Sequence, residues 1–94
     1  MTNFNHFRFY LTRAEPHIVF GTVEAIIDRI ERVENRLNAR IETLLGQLGP
    51  ADLKARINPD DVAFSGENAG SLTDCRSAVS RYVEFQTWRL THPH

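Results

Sequence analysis

Between Glu15 and Gly49, apolar side chains recur at gaps that are mostly three and four, and this run constrains the fold more than any other feature. Val19, Phe20, Val23, Ile26, Ile27, Ile30, Val33, Leu37, Ile41, Leu44, Leu45 and Leu48 carry the pattern. At 100° per residue nearly all of them fall within about 60° of Ile30, and the stripe does not drift along its length. A strict seven-residue repeat would drift by ~20° per heptad and force a supercoil. The step from Val33 through Leu37 to Ile41 corrects that drift. The pattern therefore predicts one straight helix over about 15–49, opened near Glu15-Pro16 or by a Thr12/Glu15 capping box, and stopped by Gly49-Pro50.

A second helix is predicted over about 71–91. Ser71 with Asp74 resembles a capping box, and Leu72, Cys75, Ala78, Val79, Tyr82, Val83 and Phe85 supply its apolar face. At the N-terminus, Phe4, Phe7 and Leu11 fit a helical face, whereas Phe7, Phe9 and Leu11 fit a strand. Nothing else in the chain would pair with a strand, so a short helix is expected. In the 50–70 connection, Ala51–Ile57 reads as a helical turn with Leu53 and Ile57 pointing inward, Asn58-Pro59-Asp60-Asp61 as a turn, and Val62-Ala63-Phe64 as an apolar anchor. The expected architecture is an all-α bundle forming a single domain over 1–94. Its long helix and its C-terminal helix lie antiparallel.

A helix over 15–49 would extend ~50 Å, and one over 71–91 ~30 Å. That mismatch leaves part of the long stripe without a same-chain partner, and an uncovered aliphatic strip reads as an interface. Val23, Ile26, Ile30, Val33, Leu37, Ile41 and Leu44 are the residues expected there. The expectation is a homo-oligomer, dimer or higher.

Arg29, Arg32, Arg36 and Arg40 form a basic ridge on one flank of the predicted long helix, and Glu24, Asp28, Glu31 and Glu42 an acidic ridge on the other. One reading is a solvated flank with intrahelical pairs such as Asp28 with Arg32. Another is recognition of a protein partner, and a third is an anionic small ligand or nucleotide held at a subunit interface. Trp88 and Arg89 near the C-terminus join the candidate binding residues, because tryptophan and arginine are frequent interface anchors.

Composition closes off other classes. The net charge is −1, and Lys54 is the only lysine among 11 basic residues, so no basic field draws the chain to nucleic acid. The single cysteine, Cys75, excludes an intrachain disulfide and a thiolate cage, and its place on an apolar face marks a buried thiol. His6, His17, His92 and His94 show no metal-binding spacing, and Asp60, Asp61 and Glu67 do not match a calcium loop. Phosphate loops and nucleophile motifs are missing, so no catalytic residue, metal or cofactor is expected. No apolar run approaches the ~20 residues of a membrane span, and the N-terminus lacks a signal core, so the chain reads as cytoplasmic. Together these features point to a non-enzymatic interaction module: a small adaptor, inhibitor or regulator. The alternatives are the anion binder and an accessory subunit of an enzyme complex.

Overall fold

A computed structural model describes residues 2–91. Four helices form, α1 (Asn5–Ala14), α2 (Phe20–Leu37), α3 (Ile41–Arg56) and α4 (Ala69–Thr91), with a 3-10 turn at Val62–Phe64. No strand occurs among the described residues. The N-terminal segment is helical, as its Phe4/Phe7/Leu11 spacing predicts, and all three side chains are buried.

The single helix over 15–49 does not form. Glu15–Val19 makes a turn, and Thr12 hydrogen-bonds the Arg8 carbonyl inside α1 and caps nothing. The larger departure lies at 38–40. Asn38 adopts the left-handed region (φ 53°, ψ 44°), and the Ala39 N–H donates back to the Glu34 carbonyl at 3.1 Å. That six-residue closure around a left-handed residue is a Schellman stop, and asparagine tolerates it better than any residue except glycine. Glu34 then bridges the break, because its carboxylate accepts the Ile41 N–H at 2.8 Å where α3 begins. A continuous helix of ~50 Å would also overrun a molecule whose longest principal extent is 38 Å.

The break turns the second half of the stripe back onto its own chain. Arg29 pairs with Asp74, Arg32 with Ser71 and Arg36 with Glu67, so α2 and α4 run antiparallel. Glu42, just past the break, reaches Tyr82 and Arg89 in the distal half of α4. The stripe therefore ends inside the bundle. Val23, Ile26, Ile30, Val33, Ile41 and Leu44 are buried within one chain, and Leu37 is half-buried against the same core. The length mismatch that pointed to a subunit interface along these residues is absent.

Gly49 does interrupt the helix, at φ 81° where glycine carries no Cβ penalty, and Pro50 opens a second helical piece. Leu53 and Ile57 on that piece are fully buried, as is Phe64 on the 3-10 turn. Asn58 holds the intervening turn by accepting from the Asp60 and Asp61 N–H groups, and Asp61 caps the 3-10 turn through the Ala63 N–H. α4 starts two residues before its expected position. Asn68, not Ser71, is its cap, accepting the Ser71 N–H at 2.7 Å. At the other end of α4, aromatic rings weld α1 to the bundle: Phe7 lies 5.0 Å from Tyr82 and 5.4 Å from Phe85.

Candidate functional site

Two regions hold the residues with functional potential. The first is the seam along α2 and α4. Arg36 Nη2 donates to Glu67 Oε1 at 2.7 Å, Arg32 Nη1 to Ser71 Oγ at 2.8 Å, and Arg29 Nη2 to Asp74 Oδ2 at 3.3 Å. Ser71 Oγ in turn donates to Glu67 at 3.2 Å. Hydrogen bonding from Arg36, then the nearby Arg32 charge and the Ser71 hydrogen bond, hold the Glu67 carboxyl below the usual carboxylate range. The basic ridge is thus real as far as Arg36, but its guanidinium groups face carboxylates of the same chain. Their visible role is to fasten two helices.

Arg40 is not part of this ladder, because α2 ends at Leu37 and Arg40 belongs to the break before α3. It lies beside a shallow depression bordered by Thr2, Glu31, Glu34 and Asn38. Trp88 and Arg89 are remote from the ladder, at the distal end of α4. Trp88 packs 5.5 Å from Tyr10 and is half-buried beneath α1. Arg89 donates to Glu42 at 3.3 Å and lies over the Phe85 ring. The six candidate binding residues therefore fall into three separate places and do not form one site.

Chemistry inside the bundle is quiet. Cys75 is fully buried, and burial raises its thiol pKa away from the thiolate. Tyr82 donates to Glu42 at 3.0 Å, and desolvation, followed by the Glu42 charge, raises its phenol far above the ordinary value. Among the described residues no buried side-chain polar atom lacks a partner, and no cluster of three metal-ligating side chains occurs. His92 and His94 lie outside the described residues.

The second region is the corner where α1 meets the start of α2, which sequence reasoning did not single out. Phe9, Val19 and Phe20 are 46%, 64% and 76% exposed, whereas the two other large exposed apolar side chains, Val62 and Leu90, belong to other elements. Phe9, Ile18, Phe20 and Val23, with Arg8 and Thr12, line a depression of about 380 Å³. At one rim Arg8 holds Glu24 through two nitrogens at 2.8 and 3.2 Å, and this hydrogen bonding is the chief cause that lowers the Glu24 carboxyl pKa. Arg13 does not line the depression itself, but its guanidinium lies 5.5 Å from the ring centre of Phe9, which does.

The α2 helix opens on this corner without protection. Val19 is its cap, no side chain bonds the first-turn N–H groups, and its first turn holds no carboxylate. One signal was available in the sequence. Counted from Ile30 at 100° per residue, Phe20 falls about 80° away, outside the stripe it was grouped with. No family model, curated protein or solved structure matches this chain.

Proposed function

We propose that the chain is a non-enzymatic interaction module that acts by docking a protein partner on the α1–α2 corner. The observation that carries this reading is the exposure of Phe9 and Phe20 around one depression, with Val19 exposed next to Phe20, whereas the exposed Val62 and Leu90 stand singly on other elements. A rigid helical platform with a concentrated apolar patch is the usual form of a protein-binding surface. The surface differs from the Val23–Leu44 stripe that the sequence suggested, since that stripe is consumed inside the fold.

Affinity capture from the native source, comparing the wild-type chain with Phe20→Asp, tests the reading. A partner retained by the wild type and lost with the variant supports it. Retention of the same proteins by both forms would move the function elsewhere on the molecule.

A further inference from the structure

The corner's charge identifies the kind of segment that fits it, and this inference rests on the docking function just proposed. Around the patch, Arg8 is balanced by Glu24 and Glu15 by Arg81. Arg13 makes no ion pair among the described residues, and its only structural contact of note is the Phe9 ring. The N-terminal end of α2 brings partial positive charge to this corner, and the C-terminal end of α1, whose last turn holds Arg13, brings partial negative charge. Apolar side chains and a guanidinium without an ion pair among the described residues therefore adjoin.

We propose that the corner takes an acidic amphipathic segment of a partner protein, with apolar side chains seated between Phe9 and Phe20 and a flanking carboxylate facing Arg13. A groove between two helices that accepts an amphipathic segment is a recurring recognition mode. Desolvation by the neighbouring aromatic rings strengthens a carboxylate–guanidinium pair over its value in open water. A second copy of this chain fits poorly, because a twofold contact through this patch would gather two Arg13 side chains and two α2 N-termini into one interface. An anionic bilayer also fits poorly, because electrostatic attraction to lipid builds up from clusters of basic residues, and this corner offers one arginine without an ion pair among the described residues on a chain of net charge −1.

The test pans a phage-displayed library of random short peptides against the full chain. Selected peptides are then measured by fluorescence anisotropy against wild type, Phe20→Asp, Phe9→Ser and Arg13→Glu. Phe20 is exposed and an aspartate suits a helix N-terminus, so Phe20→Asp keeps the fold, which circular dichroism verifies.

The expected selection is peptides carrying apolar residues at helical spacing beside Asp or Glu. Their affinity falls at least about tenfold in Phe20→Asp and roughly three- to tenfold in Arg13→Glu, with the salt dependence of binding weakened in the latter. Peptides that need Phe20 but show no acidic preference, and that ignore Arg13→Glu, overturn the acidic segment while leaving a protein-docking corner standing. Peptides indifferent to Phe20→Asp and Phe9→Ser overturn both. Concentration-dependent dimerisation, or adsorption to phosphatidylserine vesicles, that disappears in Phe20→Asp would instead assign the corner to a second copy or to a membrane and overturn the proposal.

Discussion

The α2–α4 seam and the α1–α2 corner share a helix and differ in what surrounds their side chains. Along the seam, Ile30 and Val33 are sealed beneath α4, and Arg29, Arg32 and Arg36 each find an oxygen on Glu67, Ser71 or Asp74. At the corner, ten residues of α1 end in a turn before α2 is covered, so Phe20 and Val19 project outward and Arg13 meets no carboxylate among the described residues. The difference is one of reach. α4, with 23 residues, follows α2 along the seam, while α1, with 10, pairs with α2 through Arg8 and Glu24 and ends at Ala14, leaving Val19 and Phe20 at the start of α2 exposed. Satisfied contacts mark the part of the molecule that makes the fold. Unsatisfied ones mark the part free to meet something else.

The sharpest way to break this contrast is to truncate one aromatic in each region. Phe7→Ala removes a fully buried ring from the Tyr82–Phe85 cluster, and its expected cost is ~3–5 kcal/mol in urea unfolding. Phe20→Ala is expected to change stability by less than about 0.5 kcal/mol. Comparable losses at both sites would mean that the corner is part of the core.

Next in size is the helix break. Asn38→Val forces a β-branched residue into the left-handed region, with an expected loss of about 1–2 kcal/mol by the same assay, whereas Asn38→Gly holds or raises the midpoint. If valine is neutral there, the break is not needed for the native state.

Acid probes the ion pairs of both regions. The carboxyl pKa values of Glu67 and Glu24 are lowered, chiefly by hydrogen bonds from Arg36 and Arg8 respectively. A carboxyl whose folded pKa lies below its unfolded value contributes stability that is present above the unfolded value, near 4.5, and lost as pH falls through the folded one. Urea midpoints are therefore expected to be level near neutrality and to drop below about pH 4.5. The double variant Glu67→Gln, Glu24→Gln flattens that drop. An unchanged acid limb would show that other carboxyls carry it.

A smaller effect, of opposite sign, is expected at Gly46. A Cβ there meets open space within α3, so Gly46→Ala is expected to stabilise by ~0.5–1 kcal/mol, read as a raised urea midpoint.

Much of the bundle was legible from residue pattern. The periodicity of Phe4, Phe7 and Leu11 and of the face from Leu72 to Phe85 placed α1 and α4, and Gly49-Pro50 marked an interruption that occurs. The break at Asn38 was hidden for a geometric reason. Leu37 and Ile41 are four residues apart, which is one helical turn's spacing, so a stop and restart between them leaves the periodic signal intact. Only the left-handed tolerance of Asn38 hinted at it, and asparagine occurs in helices too often for that hint to decide. The arginine ridge was visible along the sequence. Its partners were not, because Glu67 sits in a loop 31 residues from Arg36. The corner escaped because Phe20 lies only about 20° beyond Ile27 in angle from Ile30, a small offset in a hydropathy pattern, and because Val19 lies within the stripe and is exposed only for want of a covering helix.

The central claim is that the apolar stripe folds back on itself at residues 38–40 and is covered within one chain. Spin labels on Gly21→Cys and Gly46→Cys in a Cys75→Ala background measure this directly by dipolar spectroscopy, since both glycines face open space and dilution with unlabelled chain isolates the intramolecular distance. An uninterrupted helix would place the two backbone positions ~37 Å apart at 1.5 Å per residue. The account predicts a clearly shorter, single separation. A narrow distribution at that full length would show one continuous helix with its stripe left for another subunit, and would contradict it.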